Sequence, residues 1–181
     1  MNQIVQRKTV YTAEQIAERV RAMAAEIDAC YGDEPLVAVC VLKGAAFFFT
    51  DLVRAMRSEN LELDFVRLAS YGKGTSSSRH VVFSKDVDCN IADKHVLIVE
   101  DIVDSGLSMQ FLLHQFQARG ARSLRLAALV DKKERREVDV RVDFAGFELK
   151  QGFLVGYGLD YAEKYRALPD VEELVFEPSG D

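Results

Sequence analysis

A chain of 181 residues, 49% hydrophobic and 29% charged, is long and apolar enough to bury one ordinary core, which excludes disorder and collagen-like structure. Its formal charge of -6 and pI near 5.2 argue against nucleic acid as a partner, while a small anion, which needs only a few aimed donors, stays compatible. No apolar run approaches the roughly 20 residues of a membrane span and the amino end is too polar for a secretory signal, so no membrane partner and a cytoplasmic location are expected. Cys30, Cys40 and Cys89 are too widely spaced for a disulfide framework or a CxxC site and read as reduced thiols.

In chain order, Thr12 and Gln15 form a capping-box pattern, and Ile16, Val20, Met23, Ala24 and Ile27 repeat at helical spacing up to a stop at Gly32. LVAVCVL at 36–42 is too short for a typical helix and rich in valine, as a strand buried on both faces is. A turn at Lys43-Gly44 leads into a second helix at about 45–57. Residues 61–68 alternate as a strand, the polar stretch ASYGKGTSSSR at 69–79 reads as a functional loop, and 81–83 make a short returning strand. A second buried strand is expected at 95–99, a helix at 107–119 closed by Gly120, and a third buried strand at 124–130. Strands alternating with helices predict a single α/β domain around a mostly parallel sheet, with ligands at the carboxyl ends of its strands. Residues 131–181 read as a smaller polar-aromatic cap, in which Pro169 and Pro178 limit helix.

The chemistry concentrates in VLIVEDIVDSGLS at 96–108, which runs from a buried strand through two acids into a glycine turn and a helix. The first N–H groups of a helix lack intrahelical partners, Gly106 permits close backbone approach, and Ser105 and Ser108 add hydroxyls, so a phosphate fits the turn. Glu100 and Asp101 would repel a bare phosphate and are expected to face a metal ion or sugar hydroxyls. A bland reading, with Asp104 or Ser105 merely capping a helix, leaves the density of the cluster unexplained. No GxGxxG follows a strand, GKGTSS lacks the P-loop spacing, and HExxH and GxSxG are absent, which removes zinc hydrolysis and a serine triad.

VLIVEDIVDSGLS closely resembles the phosphoribosyl diphosphate motif of the type I phosphoribosyltransferases, and the chain from about residue 10 to 169 is similar to their short bacterial hypoxanthine-guanine branch. Supporting matches are VLKG at 41–44, SYG at 70–72, LVDK at 129–132, DFAGFE at 143–148 and FLVGYGLDYAEKYRALP at 153–169. The resemblance implies the family fold, with a hood built from the N-terminal segment and residues 131–181, and transfer of a 5-phosphoribosyl group to a 6-oxopurine with release of pyrophosphate. It implies Mg2+ as cofactor, a homodimer or homotetramer, and no nucleic acid.

Residue by residue, the resemblance places Asp104, Ser105, Gly106, Leu107 and Ser108 around the 5-phosphate, with Asp104 also a general base near purine N7. Glu100 and Asp101 would take the ribose hydroxyls directly or through magnesium, and Asp160 would be a further magnesium ligand beside the base. Lys43 and Gly44 would contact pyrophosphate across a cis Leu42–Lys43 peptide, Arg166 would reach pyrophosphate, and Ser70 and Tyr71 would begin a loop that closes over the reacting atoms. Lys132 would donate to the 6-oxo group, Phe153 would stack on the purine, and the main chain of Leu154 would read its opposite edge. Read without the resemblance, Lys132 belongs to a solvated charge run, DKKERRE. Lys133-Glu134 stands where many relatives have proline, which is expected to loosen the Lys132 loop. The alternatives are transfer to another base, xanthine above all, and a regulator of the same fold that binds RNA.

Overall fold

The computed structural model describes residues 4–71 and 80–177. The loop expected to close over the site, at 72–79, and the side chains of Ser70 and Tyr71 lie outside the described residues.

Nine strands and three helices are described, in the order β1 (Ile4–Tyr11), α1 (Ala13–Tyr31), β2 (Leu36–Leu42), α2 (Ala46–Ala55), β3 (Leu61–Tyr71), β4 (His80–Lys85), β5 (His95–Val103), α3 (Leu107–Ala118), β6 (Ser123–Lys132), β7 (Phe144–Leu149), β8 (Leu154–Val155) and β9 (Val171–Phe176). Six strands form one sheet in the order β4-β3-β2-β5-β6-β7, parallel except for β4. The buried pattern of β2 explains its place in the interior of that sheet. Its alternate residues Leu36, Ala38 and Cys40 join the core under α1 and α2, whereas Val37, Val39 and Val41 join the core under α3. Both sides of the expected capping box on α1 are present, and Ile16, Val20, Met23, Ala24 and Ile27 are its buried stripe. All three cysteines are free, and burial pushes the Cys40 thiol up to about 12.

Three boundaries differ from the sequence expectation, each for a physical reason. β5 does not stop at Val99. Its ladder with β6 continues through Glu100↔Ala128, Ile102↔Val130 and Val103↔Asp131, because backbone pairing does not require apolar side chains. β3 runs on to Tyr71 beside β4, shortening the polar stretch at its start. Residues 144–149, expected in the cap, are instead β7, a parallel edge strand of the large sheet in register with Ala127–Lys132.

The cap proper is a second, antiparallel sheet of three strands in the order β1-β9-β8. β1 is a strand no apolar pattern announced, since most of IVQRKTVY is exposed and its order comes from pairing with β9. Among the described residues no helix is long and apolar enough to cross a membrane.

Candidate active site at the carboxyl edge of the sheet

The parallel strands β2, β5 and β6 deliver their carboxyl ends, at Leu42, Val103 and Lys132, to one edge of the large sheet. Between β5 and α3 the chain turns through Asp104, Ser105 and Gly106. Gly106 occupies the N-cap position with φ +85°, a left-handed conformation that costs glycine little. No side chain among the described residues caps α3, apart from a long contact from Leu107 N–H to Ser105 Oγ at 3.4 Å. The first-turn amides are thus left to face a cavity of about 140 Å³ bordered by Glu100, Asp104, Ser105 and Ser108.

Glu100 and Asp101, as neighbours in a strand, point to opposite faces. Glu100 borders the cavity before α3, and its Oε2 is enclosed with no hydrogen-bond partner among the described residues. Burial, and then the charge of Asp101, hold its carboxyl well above the usual range. Asp101 points the other way and lies against Gly44 so closely that a Cβ there would collide with the carboxylate. Burial raises the Asp101 carboxyl to about 6, against the Ile102 N–H and the Arg166 charge, which lower it.

A second cavity, of about 190 Å³, is bordered by Asp101, Asp104, Lys132, Phe153, Leu154 and Asp160. It shares Ile102 and Asp104 with the first. Lys132 contradicts its reading as a solvated member of a charge run, for it is only 5% exposed. Its ammonium lies 3.8 Å from Asp104 Oδ1 and 3.2 Å from Glu134 Oε2. Phe153 presents an exposed ring flanked edge-on by Tyr161 and Phe176, and Leu154 is fastened in β8 opposite Glu173.

The Leu42–Lys43 peptide is cis, as the resemblance implied. Lys43 Nζ bonds Glu163 Oε2 at 2.9 Å, and Arg166 reaches Glu163 at 3.3 Å, Asp160 Oδ1 at 2.8 Å and the Gly158 carbonyl at 2.8 Å. Asp160 borders the same cavity as Asp101, but one of its oxygens takes Arg166 and the other the Glu163 N–H. The expected trio Glu100, Asp101 and Asp160 is accordingly not assembled. Among the described residues no three His, Cys, Asp or Glu side chains converge into a group able to hold a metal.

Two participants were not singled out from the sequence. Glu163 bridges both cations expected to meet pyrophosphate, Lys43 and Arg166, and its only signal was a position three residues before Arg166 in the motif DYAEKYR. Arg136 hydrogen-bonds five acceptors around the turn, although DKKERRE reads as a surface run. The segment after Lys132, expected to be loosened where a proline is missing, is bonded at several points. Lys133 N–H bonds the Leu149 carbonyl at 3.3 Å, Arg136 N–H bonds the Lys133 carbonyl at 3.2 Å, and the buried Asp131 pairs with both Lys133 and Arg136.

The profile of the phosphoribosyl transferase domain family matches residues 6–162. The chain is 43% identical over 162 residues to the hypoxanthine-guanine phosphoribosyltransferase of Bacillus subtilis, covering 90% of this chain and 89% of that one. It is 41% identical over 163 residues to the hypoxanthine-guanine-xanthine phosphoribosyltransferase of Tritrichomonas foetus, covering 90% and 88%. The crystal structure of a hypoxanthine-guanine phosphoribosyltransferase from Bacillus anthracis superposes with a TM-score of 0.86 at 39% identity, covering 96% of this chain and 99% of that one. With the six-stranded sheet, the small antiparallel cap and the glycine turn before α3 all in place, this chain belongs to the type I phosphoribosyltransferase family, among its hypoxanthine-guanine members.

Proposed function

We propose that the protein is a purine-salvage enzyme that moves the 5-phosphoribosyl group of phosphoribosyl diphosphate onto N9 of hypoxanthine or guanine, forming IMP or GMP and pyrophosphate. The observation that carries this reading is the meeting of two unlike cavities at Asp104. One is edged by free helix amides and hydroxyls suited to a phosphate monoester, and the other holds a buried ammonium beside an exposed aromatic ring, suited to an oxopurine.

In this reading the α3 amides, Ser105, Leu107 and Ser108 grip the 5-phosphate, and Gly106 lets the backbone approach it. Asp104 stands at the junction, where its carboxylate receives a proton from the purine edge as N9 attacks the anomeric carbon. N7 and O6 lie on one edge of a 6-oxopurine, so a carboxylate and an ammonium 3.8 Å apart match that edge. Lys132 has donors only, which pair with a 6-oxo group and oppose the 6-amino group of adenine. Phe153 stacks on the ring, and Leu154 reads the far edge through its main chain. Lys43, the Gly44 amide and Arg166 take the diphosphate.

Glu100, with an enclosed oxygen that has no partner, has the chemistry of a divalent-cation ligand, while Asp101 faces the other cavity with its carboxyl raised. In this reading Glu100 and Asp101 would take the ribose hydroxyls directly or through magnesium, and Asp160 would be a further ligand once released from Arg166. Neutralising charge on the departing diphosphate is what the bound ion supplies.

An ultraviolet assay with phosphoribosyl diphosphate, magnesium and hypoxanthine, guanine, xanthine or adenine in turn tests the proposal. Turnover with hypoxanthine or guanine far above that with adenine is expected; adenine as the preferred base would overturn it. Xanthine is kept in the panel because the Tritrichomonas relative, almost as similar as the Bacillus one, is named for all three oxopurines.

A further inference from the structure

After the buried Asp131 and Lys132, Arg136 is the next least exposed residue of its charged run, with 16% of its side chain exposed. Four of its five hydrogen bonds converge on two segments of the chain. Nε donates to the Asp104 carbonyl at 3.0 Å and Nη2 to the Val103 carbonyl at 3.0 Å, both at the phosphate turn. Nη2 also donates to the Lys132 carbonyl at 3.1 Å and to Asp131 Oδ1 at 2.5 Å, both at the end of β6, while Nη1 donates to the Val140 carbonyl at 3.1 Å. The next residue adds a strut, since Glu137 N–H bonds the Ser105 carbonyl at 2.9 Å. Gly106 is backed by the same segment, with Arg136 Cδ 3.2 Å and Val138 Cγ2 3.1 Å from where a Cβ would stand.

From this geometry we infer that Arg136 is a positioning residue for base choice. It ties the backbone of Asp104 to that of Lys132 and so sets the 3.8 Å between the carboxylate and the ammonium that meet the purine edge. A planar guanidinium can span several fixed carbonyls at once, which a lysine ammonium on a flexible stem cannot. This inference rests on the proposed purine reading, because only a ligand touching both side chains makes their spacing matter.

Arg136→Lys keeps a positive charge beside Asp131 and removes the fork. In folded protein, checked by circular dichroism and thermal melting, it should raise KM for hypoxanthine and lower the hypoxanthine-to-adenine ratio of kcat/KM tenfold or more. A purely structural role would lower the melting temperature and the active fraction while leaving both quantities as in the wild type, and that result overturns the inference. A second measurement needs no variant: in the native protein the Arg136 Nε–H resonance should be protected from exchange and should shift when IMP is added. A resonance that exchanges like that of an exposed arginine, or ignores IMP, also overturns it. Wild-type protein inactive with every oxopurine would instead sink the proposed function, whatever the Arg136 variants do.

Discussion

The six-stranded sheet and the cap are held together by different physics. In the sheet, β2, β5 and β6 carry almost unbroken runs of residues with no exposed surface, locked between helices on both faces. In the cap the chain after β8 turns on single-residue bridges, Gly156↔Leu159 and Tyr161↔Lys164, and holds four non-glycine residues, Tyr157, Ala162, Glu163 and Tyr165, at positive φ. The cap's apolar residues Leu154, Tyr157, Leu159 and Val171 join the core of the sheet, but its outer side is tied by ion pairs such as Arg166–Asp160, Lys43–Glu163 and Arg7–Glu172. Apolar packing resists displacement, whereas exposed ion pairs exchange at a cost of about 1 kcal/mol or less. The sheet edge is therefore suited to fixing the reacting geometry, and the cap to admitting and releasing ligands.

The sharpest way to break that division is at Asp104, which belongs to the sheet edge. Asp104→Asn should preserve binding of phosphoribosyl diphosphate, followed by calorimetry, while kcat falls by about 10²–10⁴, the usual contribution of a general base. An unchanged kcat would remove chemistry from the sheet edge. Next in size is a stability contrast. Phe48 in α2 is wholly buried, and Phe48→Ala should cost about 3–5 kcal/mol in urea unfolding. The cap residue Tyr157 gives its hydroxyl to Asp51 at 2.7 Å, and Tyr157→Phe should cost only about 1 kcal/mol. Equal costs would erase the distinction.

A pH measurement probes the seam between the two regions, where Asp101 lies under Gly44 and beside the Arg166 cluster. Its carboxyl is raised to about 6 in the folded protein, chiefly by burial. The folded state accordingly holds a proton that the unfolded chain gives up near pH 4, and the stability this lends below pH 4 is lost as pH rises through 6. In the absence of ligand, Asp101→Asn should raise the melting temperature by a few degrees at pH 7.5, on the order of 1–2 kcal/mol, with little effect at pH 4. A variant destabilised at pH 7.5 would mean that the carboxylate is compensated by its surroundings.

How far each region could be read in advance follows from the same contrast. Hydrophobic period located β2, α1 and the start of β5 because burial itself writes that pattern. It missed β1, whose exposed residues are ordered by pairing with β9, and it ended β5 four residues early, where the strand carries acids. The turn before α3 was legible because glycine, hydroxyls and a helix start leave a local trace. Arg136 and Glu163 were not, since each acts through partners far away in sequence or through backbone carbonyls, which no residue type announces.

The smallest expected effect sharpens the comparison most finely, because it concerns a contact that binding must undo. Glu163 accepts from Lys43 and Arg166, and these cations pull its carboxyl below the usual range although the side chain is largely exposed. Those are the cations proposed to take the diphosphate, and in that reading Glu163 yields them before catalysis. An exposed pair of this kind contributes little, which sets the advantage of removing it at no more than about fivefold. Glu163→Gln should therefore lower KM for phosphoribosyl diphosphate up to that limit, leave kcat unchanged, and lose its effect as salt screens the competition. A higher KM would mean that the carboxylate holds Lys43 and Arg166 ready for the incoming anion, and the cap would then be as preorganised as the sheet it covers.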